Sequence, residues 1–113
     1  MASQQGTVDF IIEQAARAGT VSARKMFGEY GLYCDGKIVA LVCDNSLFMK
    51  PTPAGLAFIG DAAMGPPYPG AKPSIVIVEE HWEDADWMAE LFRLTAAALP
   101  APAIKRKARK SST

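Results

Sequence analysis

The Asp35-Gly36 pair constrains the fold of this chain more than any other feature, because it stands between two apolar runs, residues 30–34 and 37–43. The tight type I′ hairpin turn needs positive φ at both central residues, and Asp-Gly is one of the pairs that favours it. The pair therefore predicts an antiparallel hairpin in which residue 34 lies opposite 37, 32 opposite 39 and 30 opposite 41.

Side chains alternate between the two faces of a strand, so this register assigns each hairpin residue to a face. The face expected to pack on the core carries Tyr30, Leu32, Val39, Leu41 and Cys43. The other carries a second apolar strip, namely Tyr33, Ile38, Ala40 and Val42. We expect this strip to be covered, either by the loop of residues 51–73 or, as the preferred alternative, by a second copy of the chain in a homodimer.

The two cysteines, Cys34 and Cys43, are predicted to be free thiols. In the predicted register they share a face, with Cys43 opposite Gly28, but stand about 20 Å apart along the strands at roughly 3.3 Å per residue. A disulfide requires Cα atoms within about 7 Å of each other.

The remaining elements follow from apolar periodicity and from turn residues. They are a helix over 8–18 with Thr7 as N-cap and Gly19 at its end, a strand over 21–27 that bends at Gly28, a strand over 47–50 after a turn at 44–45, a loop over 51–73 with one short helical turn at 54–59, a strand over 74–78, and a helix over 83–99 that ends before Pro100. The last helix is expected to bury a stripe made of Trp87, Leu91, Leu94 and Ala98, widened by Met88, Phe92 and Leu99.

The length of 113 residues suits one domain, and 50% hydrophobic and 21% charged residues are typical of a globular protein. No apolar run approaches the length of a membrane span, and the N-terminus lacks the pattern of a secretory signal. We therefore expect a cytoplasmic protein with no membrane partner. Its organisation is predicted as a disordered lead-in over 1–6, one domain over 7–99, and a Pro/Ala linker with a disordered basic tail over 100–113.

The formal net charge of zero conceals an uneven distribution. Five of the twelve cations lie in the KRKARK segment, which leaves seven cations against twelve anions in residues 1–100. The candidate nucleic-acid contacts of the tail are Lys105, Arg106, Lys107, Arg109 and Lys110. Such a tail either keeps the protein soluble or binds nucleic acid weakly and without sequence preference.

Arg24 and Lys25 are two further candidate contacts for nucleic acid. They are either solvated cations on opposite faces of an edge strand or an anchor for an anionic partner. The stretch that contains them departs from the RNP1 pattern of RNA-recognition motifs at four positions, so it does not indicate that fold.

A cluster of carboxylates beside the single histidine, His81, raises the alternative of a small metal-dependent enzyme. The acids are Glu79, Glu80, Glu83, Asp84, Asp86 and Glu90. Glu83, Asp84 and Asp86 are also expected in the first turn of the last helix, where they complement its dipole. One histidine and two cysteines are too few for a closed zinc site, and no calcium-loop pattern occurs.

The run MFGEYGLYCDG, followed by KIVALV and LFMK, resembles the N-terminal domain of the TfoX (Sxy) competence regulators. The resemblance covers roughly residues 7–99, and its most specific part is a motif that comprises Met26, Phe27, Gly28, Tyr30, Gly31, Leu32, Tyr33, Asp35 and Gly36. It implies a bacterial regulatory protein in competence or transcription regulation, with no catalytic residue and no cofactor. It also implies an α+β fold, an antiparallel β-meander sheet on which N- and C-terminal helices pack.

Overall fold

The computed structural model describes residues 4–26 and 28–100 and shows an α+β fold, as predicted. A six-stranded antiparallel sheet has the order β1-β2-β3-β4-β6-β5, and its first four strands form the predicted meander. The strands are β1 Val21–Met26, β2 Glu29–Cys34, β3 Lys37–Cys43, β4 Ser46–Met49, β5 Ala63–Gly65 and β6 Ser74–Ile77. The helices are α1 Gln5–Ala15, α2 Pro53–Ile59, α3 Glu79–Trp82 and α4 Ala85–Ala98, and a 3-10 turn, Ala16–Ala18, follows α1.

The Asp35-Gly36 turn has the predicted backbone, with φ values of 52° and 85°. The predicted turn at Asp44 and Asn45 is also present, and its φ values are 52° and 58°. Asp35 also accepts a hydrogen bond from the Thr20 amide at 2.8 Å. This contact brings the hairpin tip so close to Gly19 that a Cβ there would lie 2.7 Å from the Asp35 carboxylate. The sequence predicted a helix end at Gly19, and the close approach is a second reason for glycine.

The predicted hairpin register is wrong beyond the first two pairs. Cys34 pairs with Lys37 and Tyr33 with Ile38, but Leu32 then pairs with Ala40, so that Val39 forms a β-bulge. A bulge inserts one residue and reverses the faces of everything beyond it. Ala40 and Val42, expected on the second face, are fully buried in the core, whereas Leu41 is half-buried on the other face.

The prediction of free cysteines is confirmed, although by a different arrangement from the one expected. Because of the bulge, Cys34 belongs to the core and Cys43 lies on the opposite face, where its strand neighbour is Ser46. Burial is the main cause that raises the pKa of both thiols above 9.0.

The N-terminal helix begins earlier than predicted. It includes Gln5 and Gly6, which were assigned to the lead-in, and its N-cap is Gln4 in place of Thr7. Long-range contacts hold this end: the Gln4 amide donates to the Asn45 side chain at 2.9 Å, and the Tyr30 hydroxyl donates to Gln5 at 3.1 Å. Such contacts leave no local pattern in the sequence.

The predicted loop over 51–73 contains more structure than expected. Helix α2 begins with Pro53 in its first turn, and the buried Thr52 caps it by accepting from the Gly55 amide at 3.0 Å. Both are strong helix-start features. Strand β5 was not predicted; its three residues pair only with β6 at the sheet edge.

The predicted helix over 83–99 corresponds to α4, which begins at Ala85, whereas the short helix α3 before it, Glu79–Trp82, was not predicted. Asp84 has an extended backbone, and its carboxylate accepts from the Trp87 amide at 3.1 Å. Asp84 is therefore the N-cap of α4, and Glu83 is the C-cap of α3. Of the three acids expected in the first turn of the last helix, only Asp86 lies there. The stripe is also displaced from the prediction, because α4 buries Met88, Ala89, Leu91, Phe92, Thr95 and Ala96, while Ala98 is exposed.

All four helices contribute side chains to one core cluster on one side of the sheet, where α1 and α4 pack against each other and on the strands. The fully buried members include Ile11 of α1, Leu32 and Leu47 of the sheet, and Leu91 and Phe92 of α4. The opposite side, which we call the helix-free face, carries none of the described helices.

Candidate functional site

The helix-free face contains a groove with a volume of about 1000 Å³. Leu41 of β3 and Phe48 of β4, which pair directly, contribute apolar surface to it, as does Ile38. Pro67 and Tyr68, from the chain that enters β6, form another wall, and Tyr68 is 56% exposed. The floor is therefore apolar, half-buried and open to a ligand.

Charged residues of both signs also line the groove. They are Glu29, Asp44, Lys50 and Lys72. The Glu29 carboxylate accepts from the Asp44 amide at 2.9 Å and thereby supports the β3–β4 turn. An apolar floor with a mixed polar rim is the usual composition of a surface that binds another protein.

The apolar strip predicted for the second face is replaced in part by other residues. Of the four residues assigned to that face, Tyr33 and Ile38 lie there, and Ala40 and Val42 do not. Leu41 and Phe48 were not predicted to lie on the helix-free face. The only available indication was that every residue in 38–43 is apolar, so that either face of β3 could be buried.

The structure separates the two predicted cations Arg24 and Lys25 onto opposite faces of the edge strand β1. The Arg24 guanidinium lies 5.8 Å from the centre of the Tyr33 ring, and the Lys25 ammonium lies 5.9 Å from that of the Tyr30 ring. Each is a cation–π contact at the outer limit of the usual distance. Only Arg24 is on the helix-free face, so the two side chains do not form one anchor for an anionic partner.

The remaining predicted contacts, Lys105, Arg106, Lys107, Arg109 and Lys110, lie outside the described residues, as does Phe27 of the family motif. Other motif residues build the sheet. Gly28 lies in the β1–β2 turn with φ 80°, and Gly31 is buried where a Cβ would lie 3.1 Å from Met26 and Ile38 side-chain atoms.

The acidic segment does not assemble a metal centre. Within residues 4–26 and 28–100, no three His, Cys, Asp or Glu side chains are grouped so that they could hold a metal ion. Two of the acids form separate ion pairs: Asp86 pairs with Arg17, and Glu90 pairs with Arg93, which lowers the pKa of Glu90. His81 stacks on Trp87 with ring centres 4.0 Å apart. The enzyme alternative therefore gains no support from this arrangement.

Comparison with known proteins agrees with this architecture. The family described as TfoX N-terminal domain matches residues 13–99. The chain belongs to the TfoX N-terminal domain family. The match confirms the resemblance seen in the motif, and it begins six residues after the boundary at residue 7.

A relative of similar length is known in Spirochaeta aurantia. This "Uncharacterized 12.7 kDa protein in trpE 5'region" is 42% identical over 113 residues, which represent 100% of the present chain and 94% of the relative. In the described residues, no helix of the present family member is long and apolar enough to cross a membrane.

Proposed function

We propose that this TfoX N-terminal domain protein is a regulatory protein that acts by binding a protein partner through the groove on its helix-free face, without catalysing a reaction. The observation that carries the proposal is the groove itself, because half-buried Leu41 and Phe48 form part of an open apolar floor on a face without helices. Apolar surface of this kind on a globular domain commonly marks an interaction site.

The partner that fits the groove presents apolar side chains at its centre and hydrogen-bonding groups around them. The resemblance to the competence regulators supports a role in competence or transcription regulation, in the cytoplasm, as part of this proposal. A second copy of the chain is one form of this partner, and it would make the protein a homodimer. Weak nucleic-acid binding by the tail would add to the same regulatory role.

The test is affinity capture from lysate with the full-length tagged chain, with and without nuclease, followed by the same capture with a Leu41→Asp variant. Leu41 is half-buried on a surface strand position, so the charge should disrupt the apolar contact while circular dichroism confirms the fold. Phe10→Asp is the matched control, since Phe10 is a 36% exposed apolar residue on α1.

We expect Leu41→Asp, and not Phe10→Asp, to lose the captured partner in both the presence and the absence of nuclease. Light scattering on the purified chain identifies the homodimer, whose mass should fall to that of a monomer in Leu41→Asp. Retention of the same partners by Leu41→Asp would show that the groove is not the binding surface.

A further inference from the structure

A second cavity, with a volume of about 360 Å³, lies at the margin of the helix-free face beside the end of α4. It adjoins the groove and shares Ile38 and Lys50 with it. Three cations line it, Arg24, Lys37 and Lys50, and no carboxylate is among its lining residues. Residues 1–100 contain seven cations and twelve anions. Nearly half of these cations and none of the anions therefore lie at one small cavity, which we call the cationic pocket.

Each cation reaches the cationic pocket from a different part of the sheet. Arg24 is on β1, Lys37 begins β3, and Lys50 follows β4, where its amide donates to Val39 at 2.9 Å. In the described part of the chain, the ion pairs join Arg17 to Asp86 and Arg93 to Glu90. Arg24 and Lys50 thus have no carboxylate partner there, whereas the Lys37 ammonium bonds to carbonyl groups at the end of α4. The positive charge of the pocket, with no carboxylate in its lining, favours binding of an anion.

The other lining residues indicate what the anion carries with it. Tyr33, beneath the Arg24 guanidinium, and Ile38 provide ring and apolar surface beside the cations. Surfaces that combine cations with exposed rings and guanidinium planes bind single-stranded nucleic acid, because unpaired bases stack while phosphates contact the cations. In a duplex the bases are already stacked on each other, so the ring surface would contribute nothing.

We propose that the cationic pocket binds single-stranded nucleic acid, with a phosphate near Lys50 and Arg24 and a base against the Arg24–Tyr33 pair. The inference rests on the proposed function, which assigns a binding role to this face, and it adds nucleic acid to the protein partner as a second ligand. Pro100 also lines the pocket, and the KRKARK segment begins five residues later in the sequence.

A second copy of the chain suits the cationic pocket poorly. A two-fold symmetric dimer places the same patch of both subunits in contact, and here it would bring like charges together. An acidic protein would satisfy the cations but has no need of the ring surface.

The experiment measures fluorescence anisotropy of labelled oligothymidine and of a duplex of equal length, both titrated with the full-length chain over a range of salt concentrations. Arg24→Gln and Lys50→Gln each remove a pocket cation. Lys25→Gln is the matched control, because it makes a similar charge change on the neighbouring residue, on the opposite face of β1. Lys37 is left intact because its ammonium also binds carbonyl groups at the end of α4.

We expect tighter binding of the single strand than of the duplex. The log–log salt slope for the single strand should become less steep by about 0.7 in Arg24→Gln and in Lys50→Gln, and should not change in Lys25→Gln. Tyr33→Leu should weaken single-strand binding by about fivefold or more with the slope unchanged, since stacking does not involve counterions.

Three outcomes would overturn the inference. The first is equal affinity and slope for single strand and duplex. The second is loss of all binding when the five tail cations are changed to glutamine in the full-length chain, with no effect of Arg24→Gln or Lys50→Gln. The third is polyglutamate competing as well as unlabelled oligothymidine, which would assign the pocket to an acidic protein. Leu41→Asp separates this inference from the proposed function, because it should lose the protein partner and keep oligothymidine binding.

Discussion

Lys37 should stabilise the fold through the C-terminus of α4, and replacing it with methionine tests this. Its ammonium donates to the carbonyl oxygens of Ala96 at 2.8 Å and Leu99 at 3.0 Å. The last carbonyl groups of a helix have no partners within the helix. Lys37 therefore joins the first residue of β3 to the end of a helix that is distant in sequence, and it places positive charge at the negative end of the helix dipole.

The expected loss follows from these two bonds. A hydrogen bond to a charged group contributes about 1.5–3 kcal/mol net, and a cation at a helix C-terminus contributes about 0.3–1 kcal/mol. Lys37 and Leu99 are only half-buried, so water can replace part of the interaction in the variant. We expect Lys37→Met to lower the free energy of unfolding by about 1.5–2.5 kcal/mol, which corresponds to a fall in melting temperature of about 6–20 °C.

The assay is equilibrium unfolding in urea, with the midpoint and slope measured for each variant. A lower midpoint at constant slope would show a change in stability without a change in the surface exposed on unfolding. Lys72→Met is the control, since Lys72 is exposed in the chain before β6 and should change stability by no more than about 0.5 kcal/mol. If Lys37→Met lowers the free energy of unfolding by less than about 0.5 kcal/mol, as the control does, the two hydrogen bonds do not have the proposed stabilising role.

Three further predictions concern caps, turns and thiols. Asp84→Ala should destabilise by about 1 kcal/mol in urea unfolding because the Trp87 amide loses its acceptor, whereas Asp84→Asn should retain most of the stability. Gly36→Ala should cost about 1–2 kcal/mol, since φ of 85° is unfavourable for a residue with a Cβ, and Gly6→Ala, where a Cβ meets nothing within 4 Å, should not cost stability. Burial raises the pKa of Cys34 and Cys43, so the folded chain keeps thiol protons that the unfolded chain releases as pH rises through 9.0. The free energy of unfolding should therefore decrease above that pH. A Cys34→Ala/Cys43→Ala variant should show a smaller decrease.

Short-range chemistry accounts for the parts of the fold that could be predicted from sequence. The Asp-Gly turn, the Asp44-Asn45 turn and the apolar runs between them are local features, and the four strands of the meander appear within one residue of the predicted bounds where the chain is described. The start of α4 at Asp84 was also accessible, because aspartate is a preferred N-cap residue and stands directly before the helical pattern. The pattern of acids around it was instead assigned to the helix dipole.

Contacts distant in sequence account for what could not be predicted. The start of α1 depends on Asn45 and Tyr30, and the short strand β5 exists only through its pairing with β6. The cationic pocket is a stronger example. Its three cations are at residues 24, 37 and 50, with no shared local motif, and only the order of strands in the sheet brings them to one place.

The bulge at Val39 links the fold to the groove on the helix-free face. Every residue from Ile38 to Cys43 is apolar, so the hydrophobic pattern of this strand does not by itself select one register. With the bulge, small Ala40 lies on the face against which α4 packs, and larger Leu41 is available beside Phe48. Without the bulge, Leu41 and Cys43 would face the core. Ala40 and Val42 would then take their places on the helix-free face. One inserted residue therefore converts a hairpin with an ordinary second face into one that carries a groove.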